Sequence, residues 1–477
     1  MNVGSHLQLP LFTLIGEEAL AMQSEAYVIG GFVRDLFLKR SVTDIDFVTT
    51  GDGIELARRV AKRLGIKKVD YFKTYGTAHF KYQGLDLEFV GARKESYSPD
   101  SRKPSVSAGT IEDDQRRRDF TINALAIDLL PGRFGSLVDP FDGMSDLEKK
   151  ILRTPLAPDS TYSDDPLRMM RAVRFANQLG FHIDDASKEA IARNADRLKI
   201  ISMERIHVEL NKIMLCRKPS IGFKLLFDLK LLHQFFPEMV KLHGIEKRNG
   251  LAHKDNFYHT IQVLDNLCTT TDDLWLRWAA VMHDIAKPAT KRFEEGNGWT
   301  FHGHEELGAR MVPKIFARLK LPLDEKMKYV QKLVQLHLRP IALTKEEISD
   351  SAIRRLLFEA GDDIDDLMLL CKADITSKNE AKVKKYLANY ELVKIKLEEV
   401  EKKDHIRNFQ PPVSGELIMS FFGLQPCREV GVIKNAIKDA ILDGLIANDF
   451  DEAFEYMRKQ GESLGLAQSL DFVANKK

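Results

Sequence analysis

A pair of acids near the amino terminus has the spacing of a divalent-cation site. In the segment 43–48, alternate side chains of a predicted strand share a face, so Asp44 and Asp46 can converge on cations. Ile45 and Phe47 then point into a core. Taken alone, such a pair is also typical of a solvated strand face. The residues that precede it favour the cation site.

Two glycines before these acids indicate what the cations would serve. Gly30 and Gly31 follow the apolar segment 27–29, and without Cβ atoms they let the backbone approach a triphosphate. Arg34 supplies positive charge beside this turn. The combination predicts a nucleotide-transfer site.

The strand-like segment 85–90 offers a third carboxylate. Asp86 and Glu88 alternate on its polar side, and the pattern does not choose between them. Three acids on adjacent strands can hold two Mg²⁺ ions. One ion would lower the pKa of an attacking 3′-hydroxyl and contact the α-phosphate, while the other would hold the triphosphate and the leaving pyrophosphate.

A basic cluster, 116–118, stands before the apolar segment 119–126 and predicts the start of a helix. Backbone N–H groups and guanidinium groups there could orient a phosphate or ribose. Asp119 and Asn123 could hydrogen-bond sugar hydroxyls. The alternative is a solvated basic turn followed by a capped helix.

Asp165 and Arg168 share one face of a predicted helix that has Pro166 near its first turn. An acceptor beside a donor matches the edge that cytosine and adenine share, an exocyclic amine next to a ring nitrogen. Guanine and uracil present a carbonyl and an N–H there, which would leave buried groups unpaired. The alternative is an N-capping Asp165 in an intrahelical salt bridge.

A second group of histidines and carboxylates begins near residue 253, in apolar helical segments. Such ligands suit two metal ions that generate hydroxide near neutral pH and hydrolyse a phosphate ester. A single helical histidine is more often structural, but six ordered ligands favour a metal centre. The six are His259, His283, Asp284, His304, His337 and Asp374.

Several domains must position these residues, because a chain of 477 residues, 44% hydrophobic, suggests roughly three. Residues 26–92 alternate strand signals with one helical segment, 54–64, and predict a small α/β head. The Ser- and Pro-rich stretch 93–114 predicts a long loop. Residues 164–400 predict successive amphipathic helices. The predicted strands are 26–29, 44–49, 68–72, 77–82 and 85–91.

Composition limits the partners and the compartment. With 71 Lys+Arg against 70 Asp+Glu, no global basic field marks a nucleic-acid binder, so local patches must meet any polyanion. Four cysteines without a C-x-x-C pattern predict buried, reduced thiols. No leader and no apolar run of about 18 residues is found, which predicts a cytoplasmic protein without a membrane partner. The oligomeric state is left open.

Six motifs in order resemble the class II tRNA nucleotidyltransferase (CCA-adding) and bacterial poly(A) polymerase family. Residues 250–380 resemble the HD phosphohydrolase domain. The resemblance implies a polymerase-β-like α/β head with a mixed sheet, followed by an extended and almost entirely α-helical neck, HD domain and tail. The implied divisions are 1–150, 151–248, 249–390 and 391–477. The motifs are GGFVRD, TDID, LDLEFVGAR, RRRDFTINA, SDDPLRMMR and SMERI.

The resemblance also implies roles for individual residues. Asp44, Asp46 and Glu88 match the catalytic Mg²⁺ ligands, with Glu88 favoured over Asp86 by its distance from Arg93. His259, His283, Asp284 and Asp374 match the core ligands of the HD centre, and His304 and His337 match the extra histidines of binuclear members; the metal there is a divalent transition metal or Mg²⁺. The implied nucleotide-binding residues are Gly30, Gly31, Arg34, Asp35, Arg118, Asp119, Asn123, Asp165, Arg168 and Arg171.

The implied activity is template-independent addition of CCA to tRNA 3′ ends from CTP and ATP, with a second phosphohydrolase activity. A tail around 411–433 would grip tRNA by its shape. The alternatives are a poly(A) polymerase, a CC-adding enzyme, an HD hydrolase whose head only binds RNA, and a non-enzymatic RNA-binding protein. The long 93–114 stretch argues against the CC-adding enzyme, because such members are shortened there.

Overall fold

The computed structural model describes residues 1–73, 76–98, 101–343, 349–376, 379–404, 406–407 and 409–470. Two compact units divide the chain, Met1–Val240 and Lys241–Lys477. The four-domain division made from the sequence stays a prediction.

The first unit contains a mixed sheet of seven strands among the described residues. The strands of this unit are β1 Ala26–Ile29, β2 Asp44–Thr49, β3 Asp70–Phe72, β4 Thr77–Tyr82, β5 Leu85–Gly91, β6 Arg93–Ser98, β7 Ser101–Ala108, β8 Ala126–Asp128, β9 Leu137–Val138, β10 Ile151–Leu152 and β11 His182–Ile183. The sheet has the order β3-β4-β5-β2-β1-β8-β9, and β2 and β5 run parallel. The strands predicted in the head are confirmed, β3 beginning two residues late.

One face of the sheet is apolar and the other carries the acids. Phe47, Phe80 and Phe89 stack in a row, with ring centroids 4.9 and 5.3 Å apart. Because side chains alternate along a strand, Asp44, Asp46 and Glu88 emerge on the opposite face. The core therefore holds the acid-bearing strands in register while leaving the acids free to meet a ligand.

The helices of the first unit are α1 Pro10–Ala21, α2 Gly31–Phe37, α3 Gly53–Arg63, α4 Ile111–Arg116, α5 Gly143–Lys149, α6 Pro158–Asp164, α7 Leu167–Leu179, α8 Asp185–Asn194, α9 Met203–Met214, α10 Pro219–Asp228, α11 Leu232–Phe235 and α12 Pro237–Val240. Helix α3 packs on β4 and β5 and is capped by Asp52, whose carboxylate accepts from the N–H groups of Ile54 and Glu55. Beyond the head the chain is mainly helical, as predicted.

The predicted loop 93–114 is wrong over most of its length. Strands β6 and β7 pair antiparallel, and α4 follows with a capping box between Thr110 and Asp113. Residues 99 and 100 lie outside the described part of the chain. Residues 106–108 of β7 are exposed, so this end of the strand lacks the alternation of buried and exposed side chains that reveals a strand in a sequence.

The predicted helix at 119–126 is also wrong. Helix α4 already ends at Arg116, a 3-10 turn spans Thr121–Asn123, and β8 pairs with β1 and β9. All three residues of β8 are buried. A short apolar run buried on both faces has no periodicity that distinguishes a strand from a helix.

The second unit is almost entirely helical. Its helices are α13 Asn256–Leu267, α14 Leu274–Met282, α15 Lys287–Thr290, α16 His304–Arg318, α17 Glu325–Leu336, α18 Arg339–Leu343, α19 Asp350–Ala360, α20 Ile364–Asp374, α21 Glu380–Asp404, α22 Gly415–Phe422, α23 Arg428–Asp443 and α24 Phe450–Ser463. Two small hairpins are formed by β12 Lys247–Arg248 with β13 Leu251–Ala252, and by β14 Arg292–Glu294 with β15 Gly298–Thr300. The fold class predicted from the sequence is confirmed.

Three further predictions from the sequence are compared below with the structure, one for the second unit and two for all described residues. The predicted division at 390/391 falls inside α21, so it does not coincide with a break in secondary structure. Cys427 is exposed, whereas buried cysteines were expected; Cys216 and Cys371 are buried. Searching the described residues for a helix long and apolar enough to cross a membrane yields none.

Candidate active site and metal centre

The parallel pairing of β2 with β5 brings two predicted acids together. Asp46 lies opposite Glu88 in the register, and both line a cavity of about 360 Å³. Burial raises the pKa of Asp46 and of Glu88, and each is raised further by a neighbouring carboxylate, Asp44 for Asp46 and Asp46 for Glu88. Mutual repulsion between partly buried carboxylates is relieved by a cation, so the pair fits the predicted Mg²⁺ site. Asp44 is exposed on the same face.

Asp86, the alternative third acid, has protein partners instead. Its carboxylate lies 2.9 Å from His79 Nε2 and 3.4 Å from Lys81 Nζ. The hydrogen bond with His79 lowers the pKa of Asp86, with Lys81 adding to this. Glu88 therefore faces the cavity beside Asp46, whereas the negative charge of Asp86 is stabilised by His79 and Lys81.

Gly30 occupies a position that only glycine fits. Its φ is +83°, and an added Cβ would stand 3.0 Å from Arg118 Nη1 and 3.4 Å from Asp46 Oδ2. A side chain there would strain the backbone and fill the space between an arginine and an acid of the cavity. Gly31 begins α2, as the glycine turn requires.

Arg34 is nearly buried and is already engaged within the protein. Its guanidinium donates to both carboxylate oxygens of Asp35, at 2.9 and 2.6 Å, and to Asn123 Oδ1 at 2.7 Å. Direct contact of Arg34 and Asp35 with a triphosphate stays a prediction. What the structure places near the turn is fixed positive charge, held in one orientation by this fork of hydrogen bonds.

Asp119 joins the basic segment to α7. Its carboxylate accepts from Asn123 Nδ2 at 3.0 Å and from Arg171 Nε at 2.7 Å. Burial by itself would raise the pKa of Asp119, but Arg171 and the Asn123 hydrogen bond lower it to about 2. Asn123 is buried and both ends of its amide are bonded to protein, so its predicted sugar contact stays a prediction.

The sequence analysis assigned no role to Asp114, yet this residue holds two arginines of the cavity. Asp114 is fully buried on α4 and pairs with Arg117 and, at 3.2 Å, with Arg118. Its spacing of three and four residues from them on a helical turn is the signal that could have found it. Asp114 thereby points Arg118 towards Gly30.

The two predicted base-reading residues line the same cavity as the acids. No described ion pair joins them, which the alternative interpretation required, but Asp165 Oδ1 does accept from the backbone N–H of Leu167, the first residue of α7, at 3.2 Å, so the capping part of that alternative is met. Asp165 lies 3.4 Å from Arg205 Nη2, a partner to which sequence reasoning assigned no role. Arg168 donates to the backbone carbonyls of Thr161 and Arg117. The cavity therefore presents an acceptor and a donor held by separate partners.

Six arginines give this cavity a strongly positive wall, which suits a polyphosphate. The predicted residues on it are Asp46, Glu88, Arg118, Asp119, Asp165, Arg168 and Arg171, and the remaining lining residues are Thr77, Val90, Arg93, Arg117, Leu167 and Arg205.

In the second unit, the other five predicted metal ligands cluster around Asp284. His283 Nε2 lies 3.1 Å from Asp284 Oδ2 and His304 Nε2 lies 3.2 Å from Asp284 Oδ1. His259 Nε2 lies 2.9 Å from Asp374 Oδ1 and 3.4 Å from Asp284 Oδ2, and His337 Nε2 lies 3.9 Å from Asp284 Oδ1. Two groups result, His259 with His283 and Asp284, and His304 with His337 and Asp284. Asp284 can bridge two ions.

The imidazoles are oriented as metal ligands. Nδ1 of His283, His304 and His337 each lies 2.7 Å from a backbone carbonyl three residues earlier. A carbonyl can only accept, so Nδ1 carries a proton, and a ring in its neutral form offers the Nε2 lone pair. Burial alone would lower the pKa of His283, but Asp284 and Asp374 raise it, so this ring takes up a second proton more readily than an ordinary histidine. These three Nε2 atoms are buried without a hydrogen-bond partner in the described structure. Orphaned acceptors beside a carboxylate fit a pair of divalent metals.

The residues of the candidate metal centre shift one another's pKa values. Burial and the nearby His283 lower the pKa of His337 to about 3, so this ring is neutral. Burial alone would raise the pKa of Asp284, but His283 and Lys287 hold it well below its usual range. Lys287, which the sequence analysis did not single out, places Nζ 2.6 Å from Asp284 Oδ2. His259 and Asp374, at 11% and 15% side-chain exposure, form the open side of the centre.

Comparisons with known proteins agree with this division of sites. Family models for the Poly A polymerase head domain, for a probable RNA and SrmB-binding site of polymerase A and for the HD domain match residues 26–153, 180–242 and 256–378. An A-adding tRNA nucleotidyltransferase from Deinococcus radiodurans is 33% identical over 69% of the chain and 75% of its own length. A CC-adding tRNA nucleotidyltransferase from Thermus thermophilus is 29% identical over 93% of both chains. The solved complex of a CCA-adding enzyme with CTP shares the fold, with a TM-score of 0.63 at 20% identity over 97% of both chains.

Proposed function

The chain belongs to the tRNA nucleotidyltransferase family, and we propose that it is a cytoplasmic enzyme that completes the 3′-CCA end of tRNA from CTP and ATP without a nucleic-acid template. One observation carries the proposal. The acids Asp46 and Glu88 and the base-reading pair Asp165 and Arg168 line one cavity of about 360 Å³. A volume of this order suits one bound nucleotide.

The residues divide the work between phosphate and base. Asp46 and Glu88, with Asp44 beside them, would hold Mg²⁺, and the metal would supply positive charge beside the triphosphate and lower the pKa of the attacking 3′-hydroxyl. Arg118 faces the same space and offsets the negative charge that develops on the phosphates. Asp165 accepts from the exocyclic amine of cytosine or adenine, and Arg168 donates to the adjacent ring nitrogen. Arg205 keeps the Asp165 carboxylate in place.

The test supplies purified protein and Mg²⁺ with tRNA lacking its CCA end, and CTP alone, ATP alone or both. Two C residues with CTP and a final A with both nucleotides support the proposal. Addition of A alone or of C alone contradicts it in favour of the partial activities that the Deinococcus and Thermus relatives are named for. A long A tract contradicts it in favour of poly(A) synthesis.

A matched pair of variants tests the acids. Glu88→Gln removes the carboxylate that faces Asp46, whereas Asp86→Asn changes the acid that is neutralised by His79 on the same strand. We expect at least a hundredfold loss of transfer rate for Glu88→Gln and less than threefold for Asp86→Asn. Equal losses would remove Glu88 from the proposed set of metal ligands.

The second unit supports a further activity, metal-dependent hydrolysis of phosphate esters. The supporting observations are two groups of candidate ligands that share Asp284, one with His259 and His283 and one with His304 and His337, and three buried Nε2 atoms without a hydrogen-bond partner. Divalent metals there would supply an activated water and would polarise the phosphate. His283→Ala should abolish phosphatase activity and leave CCA addition intact, while Asp44→Ala should do the reverse. Phosphatase activity that survives both His283→Ala and chelation would refute the assignment.

A further inference from the structure

We infer that Phe175 is a positioning residue for nucleotide selection, one that fixes the arginine beside the glycine turn and an arginine of the base-reading helix in a single geometry. Phe175 lies on α7 with only 5% of its surface exposed. Three guanidinium groups surround its ring, those of Arg34, Arg171 and Arg174, with Cζ atoms 5.0, 5.3 and 3.9 Å from the centroid. Contacts of this length are attractive and depend on ring orientation.

The three arginines come from two helices, Arg34 from α2 and the other two from α7, which also carries Phe175. Arg34 is on α2, directly after the glycine turn, whereas Arg171 lines the nucleotide cavity from α7. Arg174 is pinned from behind by a buried pair with Glu209 on α9, 2.6 Å away. The ring of Phe175 thus projects from the base-reading helix α7 and meets Arg34 of α2, next to the glycine turn of the head.

A chain of hydrogen bonds closes the same circuit. Arg34 donates to Asn123, Asn123 donates to Asp119, and Asp119 accepts from Arg171, at 2.7, 3.0 and 2.7 Å. Phe120, next to Asp119 in the chain, meets the Phe175 ring edge-on at 5.9 Å. Each residue in this chain of contacts is held by at least two neighbours, so a displacement of Arg34 is expected to displace Arg171.

The consequence concerns fidelity, and it rests on the proposed transfer of C and A. With the ring in place, a nucleotide that satisfies Asp165 and Arg168 also presents its phosphates to charge set at one distance. Without the ring, only the hydrogen-bond chain through Asn123 and Asp119 couples the two arginines, their spacing is held less tightly, and an ill-fitting base can still bring its phosphates into line. Removal of Phe175 should therefore weaken discrimination more than it weakens binding.

The experiment compares Phe175→Leu, which keeps an apolar side chain but loses the π face, with Phe175→Tyr, which keeps the ring. Transfer to tRNA lacking CCA is measured with CTP and ATP against UTP, as kcat and KM separately. Phe223→Leu, at another fully buried phenylalanine on α10, is the control. We expect the preference for CTP over UTP to fall about tenfold, equivalent to about 1.4 kcal/mol, in Phe175→Leu alone, through kcat.

Unchanged nucleotide preference in a folded Phe175→Leu protein, with only a lower Tm, would overturn the inference while leaving the proposed function intact. Equal loss of preference in Phe223→Leu or in Phe175→Tyr would overturn it as well. If Phe175→Leu does not fold, Phe175→Met is judged by the same criteria. A wild-type protein that transfers no nucleotide overturns the proposed function first, and this inference with it.

Discussion

Substitution of Gly30 by alanine should separate catalysis from folding. The backbone at Gly30 has φ +83° and ψ −135°, a region that costs a residue with a side chain about 1–3 kcal/mol. The new Cβ would also stand 3.0 Å from Arg118 Nη1, closer than a carbon and a nitrogen normally pack. Arg118 cannot withdraw without cost because Asp114 holds it at 3.2 Å.

The expected magnitudes follow from these two effects. Backbone strain should lower the free energy of unfolding by about 1–3 kcal/mol. Displacement of Arg118 from the space beside Asp46 resembles loss of one oriented charge donor, which typically lowers kcat by about 100-fold or more. We therefore expect kcat/KM for the first CTP addition to fall about 100-fold, or about 2.7 kcal/mol of transition-state stabilisation.

The control is Gly65→Ala. Gly65 has a φ of +70°, but an added Cβ there would meet open space. It should lose about 1 kcal/mol of stability to backbone strain and none of its activity. Single-nucleotide incorporation kinetics and urea unfolding of both variants provide the measurement. If Gly30→Ala transfers CTP within threefold of Gly65→Ala, the argument from the Arg118 contact is refuted.

Three further predictions concern charges in each unit. The pKa of Asp119 falls from 3.8 to about 2 on folding, which stabilises the fold by about 2 kcal/mol above pH 4, and this stabilisation is lost as the pH falls towards 2. In urea unfolding, Asp119→Asn should therefore be less stable than wild type at pH 6 and equal to it near pH 2. Arg174→Met leaves the buried Glu209 with only the more distant and half-exposed Lys212, 3.6 Å away, so stability should fall by about 3 kcal/mol and return largely in the double variant with Glu209→Leu; no recovery would contradict this. Adding Mn²⁺ to chelator-treated protein should raise the Tm of wild type and not of Asp284→Asn, and an equal rise would exclude Asp284 as a metal ligand.

What the sequence could predict is what repeats along it or is local to it. The period of two in β2 and β5 was enough to place Asp46 and Glu88 on one face, and the strand limits followed from the same alternation. The six candidate ligands of the metal centre were singled out because histidines and carboxylates recur in order along mainly apolar helical sequence, and their role as ligands stays a prediction. Residue type and spacing carry this information directly.

What the sequence could not predict depends on distant partners. Nothing local to Asp165 shows that its carboxylate meets Arg205, forty residues later, rather than Arg168. Strand β8 and the end of β7 at 106–108 fail for opposite reasons, since every residue of β8 is buried and none of these three residues of β7 is. Phe175 reads as an ordinary core residue until the fold brings Arg34 over its ring.

The carbonyl bonds of His283 and His337 make these two candidate ligands part of helix ends. His283 and His337 directly follow the last residues of α14 and α17, and their Nδ1–H groups donate to the carbonyls of Ala280 and Val334, in the final turns. Such terminal carbonyls otherwise lack intrahelical partners. The helix that presents each ring therefore also chooses its tautomer. Substitutions elsewhere in the unit should leave the orientation of these two rings unchanged, because each ring is held by a backbone carbonyl only three residues earlier in the chain.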